Sequence, residues 1–131
     1  MALLGQDFIK FDYDKFNIRF TITDATTNLS SYSAWWGVSP TVTGDTVVQK
    51  TSAGWTTGPT AGDSTQIEMG TSSVTVKLTQ SDFGGSGLLS GTTYYHELVL
   101  SSDGTENNSV VVASGDFTVN PSLFTGKGYR P

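Results

Sequence analysis

His96 is the only histidine of the chain and the first side chain to weigh for catalysis. An imidazole titrates near neutral pH, so it suits a general base that takes a proton from a nucleophile. The alternating pattern of this segment, however, places His96 on the same strand face as Tyr94, Leu98 and Leu100. We therefore predict a buried or interface imidazole with a hydrogen-bond partner. No GxSxG nucleophile motif occurs, and the sequence predicts no catalytic residue.

Paired carboxylates are the second kind of candidate site. Asp12 and Asp14 are two residues apart, so in a strand they share a face and have the oxygen chemistry of a calcium site. The alternative is a pair of solvated charges at a strand end, which we expect because no DxDxDG spacing occurs. The remaining acids of this kind are Asp63, Glu68, Asp103 and Glu106. The sequence therefore predicts neither a metal site nor a cofactor.

The three tryptophans are candidates for binding because exposed aromatic rings stack on sugars and on protein surfaces. Trp35 and Trp36 are adjacent, so in a strand they point to opposite faces. We expect Trp36 in the core and Trp35 on an outer face that another surface covers. Trp55 lies in a loop rich in Gly, Thr and Pro, at Gly54–Gly62, and is expected at a partner-ordered tip. Carbohydrate binding by Trp55 remains an alternative to a protein interface.

Strands must position these residues, since apolar and polar residues alternate along most of the chain. The strongest signal is the segment Leu88–Val119, which reads as two long strands joined by a turn at Asp103-Gly104. Thr79–Phe83 is the one candidate 3₁₀ turn, with Thr79 as its cap. The other predicted inward faces are Phe16, Ile18, Phe20 and Ile22; Ala34, Trp36 and Val38; and Val74, Val76 and Leu78. Weaker strands are predicted at Thr46–Ser52, at Thr65–Met69 and, as an edge strand or an arm, at Phe8–Tyr13.

Composition sets the limits on fold and partners. The chain has 131 residues, enough for one domain with its own core, and short strands without helical periodicity predict an all-β, antiparallel Ig-like β-sandwich of about 7–8 strands. The net charge of −5 argues against nucleic acid, which requires basic patches. No apolar stretch is long enough to span a membrane. There is no cysteine, so the domain relies on packing alone.

The two ends of the chain differ from its middle. Asn120–Pro131 contains Pro and Gly residues that oppose regular structure, and the amino-terminal residues are apolar. We therefore predict an amino-terminal arm or edge strand at 1–15, a sandwich at 16–120, and an extended carboxyl-terminal arm at 121–131. The arms are expected to dock on other subunits through large side chains. The predicted partner-interface residues are Leu3, Leu4, Phe8, Trp55, Phe124, Tyr129 and Arg130.

Six short phrases of the sequence resemble those of small Ig-like structural proteins of tailed-phage virions. They include a TITD strand end, a VTVKLT run, a GTTYYHELVL strand and a closing SGDFTV strand. The six segments are Phe20–Asp24, Ala34–Val38, Val74–Thr79, Gln80–Phe83, Gly91–Leu100 and Ser114–Val119. The chain is similar to stand-alone proteins encoded among phage head genes, and to the amino-terminal domain of siphophage upper baseplate proteins. It departs from that pattern at His96, where an aromatic residue is usual.

This resemblance implies a non-enzymatic virion protein, made in the host cytoplasm, that binds through its surface. A capsid decoration or cement protein is expected, because the chain ends soon after the domain, where a baseplate protein would continue. The expected partners are the phage major capsid protein or other virion proteins, with homo-oligomers on the particle and a trimer among the options. A tail, neck or baseplate component is the alternative, and a carbohydrate-binding module on a virion is the second alternative.

Deletion of Asn120–Pro131 tests the predicted carboxyl-terminal arm. We expect the truncated chain to fold, since the predicted strands end before it, and to lose binding to the particle. Co-sedimentation of the purified protein with particles that lack it measures this binding, and circular dichroism checks the fold. If the truncated chain occupied the particle as fully as the intact chain, the prediction that this arm contributes to the interface would be wrong.

Overall fold

A computed structural model describes residues 9–14, 17–22, 28–56, 66–83, 87–89 and 91–119. Within them the chain forms eight strands and three short 3₁₀ turns. The strands are β1 (Ile9–Asp14), β2 (Asn17–Ile22), β3 (Ser33–Ser39), β4 (Val48–Thr51), β5 (Ile67–Met69), β6 (Ser73–Lys77), β7 (Thr92–Ser101) and β8 (Ser109–Val119). The 3₁₀ turns are Leu29–Ser31, Gln80–Asp82 and Glu106–Asn108.

The strands form two four-stranded sheets whose strand pairs are all antiparallel. The first sheet has the order β1-β2-β6-β5, and the second has the order β4-β3-β7-β8. In immunoglobulin nomenclature these orders correspond to A-B-E-D and C′-C-F-G. The prediction of an all-β antiparallel sandwich is confirmed.

The strand faces follow the alternation of the sequence. In β2 the residues Ile18, Phe20 and Ile22 are buried, and in β6 the residues Val74 and Val76 are buried, as predicted. Each partner strand supplies the matching face, because Phe20 pairs with Val74 and Ile18 with Val76 in the antiparallel register. Burying each of these large side chains stabilises the fold by roughly 1.5–3 kcal/mol. Phe16 of the predicted face lies outside the described residues.

The predicted hairpin of the Leu88–Val119 segment is confirmed as β7 and β8. Their ladder runs from Thr92 paired with Val119 to Ser101 paired with Ser109, with a bulge where β7 passes from Leu98 to Val99. Gly104 has a φ of 81°, a conformation that glycine adopts without steric cost, so the chain reverses there as expected. A β-carbon on Gly104 would also overlap the carbonyl oxygen of Gly54.

Tyr94 fixes the start of β7 against the preceding loop. Its hydroxyl accepts a hydrogen bond from the backbone N–H of Leu89 at 2.8 Å, while its ring is buried in the core. Immunoglobulin-like sandwiches hold this corner with a tyrosine at the same place, two residues before the second cysteine of the domain. His96 therefore occupies the position that a disulfide cysteine has in antibody domains.

The weaker predicted strands are present with shorter bounds. Val48–Thr51 lies within the predicted Thr46–Ser52, and Ile67–Met69 within the predicted Thr65–Met69. Ile9–Asp14 is an edge strand of the first sheet, which agrees with one of the two alternatives for this segment. Residues 1–8 and 120–131, which hold most of the two predicted arms, lie outside the described residues.

An ion pair closes the gap between the sheets at β4. Lys50 pairs with the core residue Trp36 in the register, and its Nζ reaches Asp82 Oδ2 at 2.8 Å. Asp82 Oδ2 also accepts from the backbone N–H of Thr79 at 2.7 Å, at the start of the 3₁₀ turn Gln80–Asp82. The predicted 3₁₀ turn is therefore confirmed, but the side chain that caps it is that of Asp82. The pair joins an edge of the second sheet to the turn that follows β6 of the first.

We expect Asp82→Ala to lower the free energy of unfolding by about 2–4 kcal/mol, since it leaves a largely buried ammonium without its partner. Asp82→Asn is the matched control, because its carbonyl oxygen still accepts from the Thr79 N–H. We expect it to cost about 1 kcal/mol less than the alanine variant. Urea unfolding of both variants, alone and with Lys50→Met, gives the coupling energy. If the changes in the free energy of unfolding at Lys50 and Asp82 were strictly additive, the ion pair would make no contribution to stability.

Candidate functional site

The outer face of the second sheet presents the most distinctive exposed chemistry of the described residues. Trp36 of β3 is fully buried between the sheets, whereas Trp35 points to the outer face and is half-buried. The opposite orientation of the two rings, predicted from their adjacency, is confirmed. Trp35 therefore has surface available to a ligand or a partner.

Trp35 packs over Gly37 of its own strand. Its benzene ring occupies the space into which a β-carbon on Gly37 would project, so only glycine at that position permits the arrangement. The indole Nε1–H donates to Gln49 Oε1 on β4 at 3.1 Å. These two contacts hold the ring over Gly37 and fix its orientation.

Apolar side chains continue from Trp35 toward the edge of the sheet. Trp35 pairs with Val99 on β7, and Val99 pairs with Val111 on β8. Val99 is half-buried and Val111 is 41% exposed, one of the largest exposures of an apolar side chain among the described residues. The three side chains form a transverse apolar row, which we call the Trp35 row.

Acidic and polar groups lie beside the Trp35 row. In the register, Gly37 has Gln49 on one side and Glu97 on the other. The hydroxyl of Tyr95 donates to Glu97 Oε2 at 2.7 Å, and this hydrogen bond raises the pKa of Tyr95. Asp116 of β8 pairs with Tyr95 of β7 and is exposed. The face therefore combines a flat aromatic ring with carboxylates and an amide.

His96 lies in the core between the sheets. Its ring is 4% exposed, and its Nδ1 accepts a hydrogen bond from the Trp36 indole N–H at 3.2 Å. The rings of Phe20 and Phe117 lie at centroid distances of 6.1 Å and 5.9 Å from it. Burial lowers the pKa of His96, so the neutral tautomer with its proton on Nε2 is the stable form. The prediction of a buried, hydrogen-bonded imidazole is confirmed.

Trp55 differs from the expectation of a partner-facing loop tip. Its side chain is 4% exposed, so the ring packs within the chain. The loop is held down because Trp55 N–H donates to Ser52 O at 3.1 Å and Thr56 N–H donates to Gly104 O at 3.0 Å. This burial leaves Trp55 little surface for either a protein or a sugar. The other predicted interface residues, Leu3, Leu4, Phe8, Phe124, Tyr129 and Arg130, lie outside the described residues.

The loop acid Asp103 is used to build its own turn. Its carboxylate accepts from Thr105 N–H at 3.0 Å, from Thr105 Oγ1 at 2.7 Å and from Asn108 Nδ2 at 2.6 Å. These hydrogen bonds, led by that from the Thr105 side chain, hold the pKa of Asp103 at about 2. Across the described ranges, no group of three or more His, Cys, Asp or Glu residues is placed to hold a metal ion.

A cleft of about 840 Å³ lies at the edge where β5 approaches the end of β4. Its lining is rich in hydroxyl groups and includes Tyr32 and Ser52. Glu68 and Lys77 form an exposed ion pair there, with Nζ and Oε1 3.6 Å apart. Residues 57–65, which connect the two walls, lie outside the described residues.

The pKa of His96 gives the core a measurable pH dependence. Because the folded pKa lies below the unfolded value of about 6.5, only the unfolded chain gains a proton as the pH falls through that value. We expect the free energy of unfolding to decrease from about pH 6.5 downward, by at most about 1.4 kcal/mol per pH unit. His96→Asn, which keeps an acceptor near the position of Nδ1, should remove this dependence. Urea unfolding at several pH values above about 4.5, where carboxylates stay charged, measures it. If the free energy of unfolding fell equally with pH in the wild-type protein and in the His96→Asn variant, groups other than His96 would cause the pH dependence.

No family model, curated protein or solved structure matches the chain. Within the described part of the chain, none of the helical turns has the length and apolar character needed to cross a membrane.

Proposed function

We propose that the chain is a non-enzymatic structural protein of a tailed-phage virion, a capsid decoration or cement protein that binds and bridges shell subunits. One observation supports bridging above all. The two ends of the described sandwich, where the terminal segments attach, lie at opposite poles of the fold.

The strand registers define these poles. Ile9, the first residue of β1, pairs with Ile22, at the end where the β2–β3 connection begins. Val119, the last residue of β8, pairs with Thr92 at the other end of the second sheet. β8 alone has 11 residues and so spans about 35 Å. The terminal segments therefore start about one strand length apart.

Opposite attachment points suit a protein that holds two neighbours together. A segment anchored at each pole can engage a different subunit, and the second contact then forms at a high effective concentration. The proposed anchors are Leu3, Leu4 and Phe8, which precede Ile9 in the sequence, and Phe124, Tyr129 and Arg130, which follow Val119. Large aromatic side chains and arginine contribute most of the binding energy in typical interfaces.

The proposed partners are the phage major capsid protein or other virion proteins, with further copies of the chain on the same particle. The resemblance to stand-alone phage head proteins supports this choice, as does the low content of charged residues, 15%. A tail, neck or baseplate component is the alternative, and the resemblance to amino-terminal baseplate domains favours it. Both roles require adhesive surface and no catalytic group.

Copy number separates the two roles. Densitometry of purified particles should give a ratio of this chain to the major shell protein that is fixed by the symmetry of the shell. A ratio typical of a tail component, far below one copy per symmetry axis of the shell, would reject the decoration role. Head and tail fractions, separated before electrophoresis, provide the control.

A further inference from the structure

We propose that the outer face of the second sheet binds a neutral carbohydrate, with Trp35 as the stacking platform and with Gln49 and Glu97 as partners for the sugar hydroxyls. This site is built from other residues than the terminal anchors of the proposed function. It also differs from the site at Trp55 that the sequence suggested.

The platform is preorganised. The Trp35 ring packs over Gly37, and its Nε1–H donates to Gln49, so the ring does not have to reorient on binding. Trp35 is half-buried, so part of the ring stays accessible to a ligand. A pyranose ring has a face of C–H groups that packs on the π-face of an aromatic ring, and a rigid platform lowers the entropic cost of that contact.

Polar groups lie on both sides of the platform. Gln49 and Glu97 are the two register neighbours of Gly37, on β4 and β7 respectively. Gln49 uses its carbonyl oxygen for the indole, and its amide NH₂ is the group that can donate to a hydroxyl. The Glu97 carboxylate is oriented by Tyr95 and offers acceptors to hydroxyl donors. A donor and an acceptor therefore lie on opposite sides of Gly37, where hydroxyls at two separate positions of a sugar can reach them.

The charges of the face disfavour an anionic ligand. Glu97 and the exposed Asp116 are acidic, and Lys50, the only Lys or Arg in the four strands of this sheet, is paired with Asp82 at 2.8 Å. Within these four strands, a phosphate or an acidic sugar would meet repulsion without a compensating cation. A second copy of the chain would bring the same two acids face to face, because a two-fold interface apposes identical surfaces.

The same groups argue against a protein as occupant of this face. A protein partner that covered the Trp35 row would also desolvate Glu97, which costs free energy unless the partner supplies a cation at that point. A sugar leaves the carboxylate partly hydrated and supplies hydroxyl donors to it. Occupation by a protein remains a defined outcome of the test.

Tryptophan fluorescence reports on this site in the unmodified protein. Trp36 and Trp55 are 0% and 4% exposed, so collisional quenching by acrylamide acts mainly on Trp35. The probes are neutral oligosaccharides built from glucose, galactose, mannose or N-acetylglucosamine, at millimolar concentration. We expect at least one of them to protect Trp35 from quenching, and the same sugar to retain the protein in affinity electrophoresis.

Variants assign the binding to the proposed residues. Affinity electrophoresis should show binding at least tenfold weaker for Trp35→Ala and weaker binding for Gln49→Ala and Glu97→Gln. Val42→Ala is the matched control, because Val42 is 69% exposed and lies in the β3–β4 connection. Thermal unfolding identifies any variant that fails to fold. The variants that do fold then show whether sugar binding depends on the proposed residues.

Three results would overturn the proposal. The first is that no neutral sugar of the panel binds. The second is binding that survives both Trp35→Ala and Gln49→Ala. The third is loss of particle binding, without any loss of sugar binding, in Trp35→Ala, which would assign the face to a virion protein.

Discussion

The hydrogen bond from the Trp36 indole to His96 lies at the point where the two sheets meet, and the rest of the core is arranged around it. Trp36 and His96 sit on neighbouring strands of the second sheet, and Phe20 of the first sheet packs against the histidine. The bond requires a neutral imidazole with Nδ1 as the acceptor, which burial favours. A buried N–H without such a partner would cost about 1–3 kcal/mol.

The burial of Trp36 also determines which side chain the second sheet exposes on its outer face. Because successive residues of a strand alternate between faces, the burial of Trp36 puts Trp35 on the outer side of the sheet. The ring then needs a place to lie, and Gly37, two residues on, provides it on the same face. One dipeptide thus supplies both a fully buried ring of the core and the partly exposed tryptophan of the second sheet.

Much of the fold could be predicted from the sequence because its determinants are local. Period-two alternation identifies β2, β6 and β7, and the Asp103-Gly104 turn identifies the hairpin. The burial of Trp55 could not be predicted, since it depends on a bond between Thr56 and Gly104, 48 residues apart. The Gly-rich composition of that loop is the usual signal of an exposed tip.

Two features of the second sheet were also beyond reach of the sequence alone. Lys50 is a buried charge in β4, and only the three-dimensional arrangement shows that Asp82 neutralises it across the gap between the sheets. The platform under Trp35 depends on the neighbouring strand for Gln49 and Glu97. Contacts between different elements of the chain assemble both features, and the alternation of apolar and polar residues within one strand does not predict such contacts.

The positions at which the chain leaves the sandwich have a mechanical consequence. A tension applied between the two poles would pull β1 and β8 along their own axes, parallel to the strands. Their backbone hydrogen bonds would then be loaded together, in shear, instead of breaking one after another as in peeling. Forced unfolding is governed by the unfolding rate, which a shared load keeps low. If the chain links shell subunits as proposed, a swelling shell would stretch it along its most resistant direction.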